Sequence, residues 1–248
     1  MIRQWRLLAV AVSLGAAACG AGPPRVSTAC GQLPLEEDSG RHSLQCGPTL
    51  DFIPVNQYGG EIVTLQDREG AVVLIGGTCT GTLIAAAAGP VVLTAGHCGQ
   101  LGDRFPVAFN VEQDPDGDQL VTEGTVIERA DEPDYALIQL DQVPSAVPAL
   151  LTTLPSDLLA VVQHPRGGPK AVAEGQFIGE CSGLMYYVNL DTLVGSSGAG
   201  VFNRQGHLAG VHAGGDCATD GSGANRGWTA AAIVEASQYL YDADIDGR

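Results

Sequence analysis

Three short segments carry residues whose types and order could perform acyl transfer: Thr94-Ala95-Gly96-His97-Cys98, Asp134-Tyr135-Ala136-Leu137 and Gly195-Ser196-Ser197-Gly198-Ala199-Gly200. Together they offer an imidazole base, a carboxylate to orient it and a hydroxyl nucleophile. A serine hydroxyl is a weak nucleophile at neutral pH. It needs a histidine to take its proton and a buried carboxylate to hold that histidine in one tautomer. The chain order His, Asp, Ser differs from the Ser, Asp, His of α/β-hydrolases and from the Asp, His, Ser of subtilisins. Nor do Gly195–Ala199 form a G-x-S-x-G nucleophile elbow, because the fifth position is Ala199. Each segment alone has an ordinary explanation: a structural histidine beside a cysteine, a solvated acidic turn, a glycine loop. Their joint occurrence in this order points to catalysis.

The segments resemble those of the chymotrypsin-like (trypsin-fold) serine peptidases, and the compact bacterial members more than the animal digestive ones. Cys79-Thr80-Gly81-Thr82-Leu83-Ile84 resembles the strand before the family's histidine, while Val201-Phe202-Asn203 and Gly210–Gly215 resemble the strands after its serine. The likeness spans roughly residues 52–241. It implies an all-β fold of two antiparallel six-stranded β-barrels with a C-terminal α-helix. It also implies that His97 is the base, Asp134 its orienter and Ser197 the nucleophile. The backbone N–H groups of Gly195 and Ser197 would form the oxyanion hole. No metal and no cofactor is expected. Ser196 stands where trypsin-type zymogens keep the aspartate that pairs with a new N-terminus, so that mode of activation is not expected.

Two further positions resemble the bacterial glutamyl endopeptidases: Thr192, five residues before Ser197, and His212 within Gly-Val-His-Ala-Gly-Gly. The resemblance implies contact with an acidic P1 side chain, with Ala213 and Gly214 along the substrate. An imidazole and a hydroxyl can both donate to a carboxylate. Asp191 implies the alternative, since trypsin holds its Arg/Lys-selecting aspartate six residues before the serine. A third reading makes His212 a core histidine bonded to Asp191. At the level of function, the alternatives are a non-catalytic trypsin-fold binding protein and an esterase using the same machinery. The loop Gln163-His164-Pro165-Arg166-Gly167-Gly168-Pro169-Lys170 also resembles one found in the bacterial relatives.

Twelve Lys and Arg against 28 Asp and Glu give a net charge of −16, which argues against nucleic acid or an anionic membrane surface as partner. Polypeptide substrates and a monomer are expected. The 34 Gly and 14 Pro against 5 Phe favour many turns and short strands over a helical bundle. Residues 1–18 read as a signal peptide, basic then apolar then small, and too short for a membrane span. Ala16-Ala17-Ala18-Cys19 resembles a lipobox, so the protein is expected in the bacterial cell envelope as a lipoprotein lipidated at Cys19, or secreted. Setting Cys19 aside leaves six of the seven cysteines for three bridges. The family resemblance implies Cys79–Cys98; Cys181–Cys217 and Cys30–Cys46 then follow by elimination.

The elements that must position this chemistry are short apolar runs broken by Gly, Pro or Asp. Residues 19–51 read as a tether or propeptide-like arm, 52–145 as the first barrel and 146–241 as the second barrel with a terminal helix. Residues 242–248 form an acidic tail. Strands are expected at Glu61–Gln66, Ala71–Ile75, Thr80–Ala85, Val91–Thr94, Val107–Val111, Thr125–Ala130 and Ala136–Leu140. The second barrel is expected to use Leu158–Gln163, Ala171–Ile178, Met185–Leu190, Gly200–Asn203, His207–His212 and a strand near Trp228. Apolar residues at helical spacing in Trp228–Tyr241 predict the closing helix. The acidic stretches Asp114–Asp118 and Asp242–Gly247 read as solvated turns. The second stops before the twelfth-position carboxylate of an EF-hand loop.

Overall fold

The computed structural model describes residues 30–33, 45–87, 89–115 and 117–245. The leader, Cys19 and most of the 19–51 arm lie outside the described residues. A short strand β1 (Ile53–Pro54) precedes the first barrel of β2 (Val72–Ile75), β3 (Cys79–Ile84), β4 (Val91–Thr94), β5 (Arg104–Phe109), β6 (Leu120–Asp131) and β7 (Asp134–Leu140). These close in the order β2-β3-β4-β7-β6-β5. The second barrel contains β8 (Leu158–Gln163), β9 (Ala171–Cys181), β10 (Leu184–Val188), β11 (Gly200–Asn203), β12 (Leu208–Gly215) and β13 (Asn225–Thr229). Its order is β9-β10-β13-β12-β11-β8, closed by the β8–β9 pairing, with β1 added on β9. Every barrel ladder is antiparallel. The expected pair of six-stranded barrels is what the chain forms.

Strand alternation explains how the barrels hold together. On β8, Leu159 and Val161 point into their own barrel, whereas Ala160 and Val162 join the core shared with the first barrel. A strand buried on both faces reads as a continuous apolar run, which is why Leu-Leu-Ala-Val-Val shows no polar alternation. The connector between barrels is pinned to both. Ala149 N–H donates to Leu83 O at 2.9 Å, and Leu208 N–H donates to Leu150 O at 2.8 Å. The cleft is therefore framed by elements that cannot slide independently.

Three expectations need correction. Residues 61–66 are not a strand: Val63–Asp67 is a 3₁₀ turn. Ile62 and Leu65, both fully buried, are spaced three apart, matching the 3₁₀ period rather than the strand period of two. The closing helix is only Ala230–Ala236, capped by Thr229 Oγ1 accepting from Ala232 N–H at 3.2 Å. It stops because Glu128 of β6 captures the next turn: Ser237 Oγ and Gln238 N–H donate to its two oxygens at 2.5 and 2.6 Å.

The third correction concerns the cysteines. Cys79–Cys98 forms as expected, but the other bridges are Cys30–Cys181 and Cys46–Cys217, not Cys30–Cys46 and Cys181–Cys217. The arm is not clipped to itself; both of its cysteines reach across to the second barrel. Three bridges in one domain mark an extracytoplasmic protein.

Candidate active site

Backbone register brings His97 and Asp134 together. Strands β4 and β7 pair Thr94 with Ala136, so antiparallel geometry sets the residues just after Thr94 beside those just before Ala136. His97 follows in the turn Gly96–Cys98, and Asp134 opens β7. This approach requires glycine at 96, because a Cβ there would lie 2.2 Å from Ala130 O and 2.9 Å from Asp134 Oδ1. His97 N–H donates to Asp134 Oδ1 at 2.9 Å, and His97 Nδ1–H donates to Oδ2 at 2.7 Å. With both carboxylate oxygens engaged the ring is fixed in one tautomer, leaving the Nε2 lone pair as base. The Asp134 hydrogen bond raises the His97 pKa above its ordinary value, against the opposing pull of burial.

Ser197 belongs to the loop entering β11, in the other barrel, yet its backbone is bound to the first. Thr80 N–H of β3 donates to Ser197 O at 2.9 Å, and Thr80 Oγ1 donates to Gly195 O at 2.8 Å. Gly198, with φ +81°, lies so close to the strand ends that a Cβ would sit 2.1 Å from Thr94 Oγ1 and 2.2 Å from Thr80 O. Only glycine permits this contact. The serine loop is thus pressed against the base of the loop carrying His97, and Cys79–Cys98 ties β3 to that same loop.

Around Ser197 the amides alternate. Ser196 N–H donates to Leu193 O and Gly198 N–H to His212 O, each at 2.9 Å. Among the described residues, the N–H groups of Gly195 and Ser197 donate to no backbone carbonyl. Ser196 is fully buried; its Oγ donates to Gln163 Oε1 and accepts from Leu193 N–H at 3.0 Å, while Gln163 Nε2 donates to Asp191 O at 2.9 Å. A neutral network thus shapes the loop at the place where zymogen-type relatives hold a charged pair.

The residues expected to choose the substrate lie together near β12 and β13, with unequal freedom. Asp191 is 1% exposed, and its oxygens accept from Cys46 N–H at 2.7 Å and Asp51 N–H at 2.6 Å. Thr192 Oγ1 donates to Asn225 Oδ1 at 3.2 Å. His212 Nδ1 meets Tyr187 Oη at 2.6 Å, not Asp191. Burial pushes the Tyr187 hydroxyl well above its ordinary pKa. The His212 imidazole is pushed down to about 3, by burial first and then by the charges of Arg226 and His97. Both groups are therefore neutral, and one of them donates to the other across this contact. Ala213 and Gly214 are half-buried at the end of β12. An open cavity lined by Glu132, Trp228 and Glu235 shares no residue with this constellation.

Thr80, Gln163, Asn225 and Tyr187 are the supporting residues that sequence reasoning passed over. Each acts through hydrogen bonds to distant segments, and nothing in local spacing announces such bonds. Cys30, Cys46, Cys181 and Cys217 tether the arm behind the Asp191 wall rather than entering the site.

The model of the trypsin-like peptidase domain matches residues 79–211, more than half of the chain. No curated protein sequence matches. Among solved structures, the MamO protease domain from Magnetospirillum magneticum is 16% identical, with 69% of this chain and 98% of that one covered and a TM-score of 0.54. The inactive form of the Rv3671c protease of M. tuberculosis is 19% identical, covering 70% and 90%, with a TM-score of 0.55. A serine endoprotease from Yersinia pestis is 15% identical, covering 72% of this chain and 65% of that one, with a TM-score of 0.58. At these identities the likeness speaks for the fold. With the family match, the chain belongs to the trypsin-like peptidases and is a serine endopeptidase.

Proposed function

We propose that Ser197, His97 and Asp134 cleave peptide bonds through an acyl-enzyme, with a preference for an acidic P1 residue. The observation that carries the catalytic reading is the two-point bond between His97 and Asp134. His97 Nε2 takes the Ser197 proton as Oγ attacks the scissile carbonyl. The Gly195 and Ser197 N–H groups stabilise the oxyanion, and His97 then protonates the leaving amine. Water repeats the sequence on the acyl-enzyme. A fluorophosphonate probe should label Ser197, and the labelling rate should fall as pH drops. His97 must be neutral to act, and its raised pKa moves that acid limb above the ordinary imidazole value of about 6.5. A pH-independent rate, or label on another residue, would refute the assignment.

The acidic preference is supported by what Asp191 and His212 do. Asp191 and His212 are equally buried, but Asp191 already accepts two backbone amides, so it has less to offer a Lys or Arg side chain. We assign the Tyr187 phenol as donor to His212 Nδ1, which leaves the neutral ring a proton on Nε2, within the field of Arg226. A carboxylate gains from both; a cation gains from neither. Thr192, whose proton already goes to Asn225, shapes the wall beside them. His212→Ala should lower kcat/KM on Glu-P1 peptides by roughly 10–150-fold, the worth of a charge-assisted bond, and lower it far less on others. On matched Glu-P1 and Arg-P1 peptides, cleavage after Arg that vanishes in Asp191→Asn would establish the basic alternative instead.

A further inference from the structure

We propose that Arg166 forms a cationic subsite for a carboxylate on the leaving-group side of the scissile bond, so that the enzyme reads acid on both sides of the cut. The inference rests on the triad reading above. Sheet order supplies the direction. In the series β13-β12-β11-β8, the serine loop enters β11, the P1 residues His212 and Arg226 lie on β12 and β13, and the turn leaving β8 lies on the opposite side. That turn carries Arg166. It abuts the oxyanion residue directly: a Cβ on Gly195 would fall 2.6 Å from His164 O and 2.8 Å from Arg166 N, and Arg166 N–H donates to Val194 O at 2.6 Å. On its other flank it touches the β2–β3 turn of the first barrel, since a Cβ on Gly167 would lie 2.2 Å from Gly77 O. Arg166 therefore stands at the seam of the barrels, where the departing half of a peptide bound across Ser197 would run.

Two further observations set this arginine apart. Its backbone is left-handed, at φ 57° and ψ 25°, although glycine, which adopts that conformation freely, fills the next two positions. A bulky side chain held in such a conformation points to a function. Its charge is also uncommitted. Arg104, Arg129, Lys170 and Arg204 are ion-paired and Arg226 has a partner; among the described residues Arg68 and Arg166 carry no ion pair, and only Arg166 borders the site. A protein of net charge −16 repels acidic peptides at long range, so accepting one requires local cations at the cleft. A planar guanidinium suits a carboxylate, which it can hold through two hydrogen bonds.

The carboxylate has two possible sources, an Asp or Glu side chain at P1′ or P2′ and the free C-terminus of a short leaving peptide. Internally quenched peptides with one fixed P1 should be compared as pairs, Glu against Gln at P1′ and at P2′. A further pair releases a dipeptide as the acid or as the amide. The wild-type protein should favour the carboxylate member of at least one pair by roughly fivefold to tenfold in kcat/KM, and which pair responds identifies the source. Arg166→Asn, which tolerates the left-handed backbone, should bring that ratio to about one. Arg166→Lys should keep part of it and Arg166→Glu invert it. A ratio is insensitive to a general loss of activity, so a poorly folded variant cannot imitate the result. Ratios of one in the wild type, or ratios unchanged in Arg166→Asn, would overturn the subsite while leaving Ser197 labelling intact. Failure to cleave any peptide would overturn the triad reading and the subsite together.

Discussion

Ser197→Ala is expected to abolish peptide hydrolysis, lowering kcat by roughly 10⁴–10⁶-fold as loss of a triad member does. The hydroxyl it removes is the only group in the proposed mechanism that forms a bond to substrate. Its neighbour provides the control. Ser196 Oγ is occupied between Gln163 and Leu193 in the buried network behind the loop, so Ser196→Ala should leave the nucleophile in place. It should cost about 1–3 kcal/mol of stability by stranding buried polar groups, with activity mostly retained. Active-site titration of both variants, together with thermal unfolding, separates the two roles. Inactivity of the Ser196 variant with normal unfolding would mean that the motif had been read one residue out of register.

The candidate triad could be proposed from sequence because catalysis would constrain residue type and chain order at once, and because each member sits at the end of an apolar run that reads as a strand. Individual strands were readable because runs such as Val-Val-Leu-Ile and Val-Val-Leu-Thr have few alternatives to buried strands, while their closure into two barrels was what the family resemblance implied. What could not be read was non-local. Pairing Cys30 with Cys46 followed only by elimination, and elimination cannot see that Cys30 and Cys46 bridge sequence separations of 151 and 171 residues. Asp191 shows another kind of non-local information. Its position allows a P1-selecting acid, and only the fold reveals that the arm's amides at Cys46 and Asp51 occupy both oxygens. At residues 61–66 the signal was misread, because Ile62 and Leu65 suit either a short strand or a 3₁₀ turn until their spacing is given weight.

Lys170 is the residue whose importance the sequence concealed most fully, and its loss should damage the fold more than the loss of the Ser196 hydroxyl. In sequence it is simply the last residue of the Gln163–Lys170 loop; in the fold it is fully buried between the barrels. Its ammonium donates to Glu69, just before β2, and to Glu112 Oε1, just after β5, at 2.8 Å in the latter case. Its backbone N–H also donates to Val111 O at 2.7 Å, so the second barrel is bonded to the first by charge and by main chain together. Burial raises the Glu69 pKa, and Lys170 only partly offsets this. For Glu112, burial works in the same direction, but the hydrogen bond and charge of Lys170 prevail and hold the carboxyl below its ordinary value. Removing the cation strands a buried carboxylate, which costs about 3–5 kcal/mol. Lys170→Met should accordingly lower the unfolding temperature by roughly 6–20 °C, and kcat/KM should fall with it, because His97 and Ser197 stand on opposite barrels. The combination Lys170→Met with Glu69→Gln and Glu112→Gln removes all three charges and should recover much of the stability, since neutral amides are far cheaper to bury than an unpaired charge. Calorimetry of the single and triple variants decides the matter. A single variant as stable as the wild type would show that the ion triad does not join the barrels, and a triple variant no better than the single would place the damage in packing rather than charge.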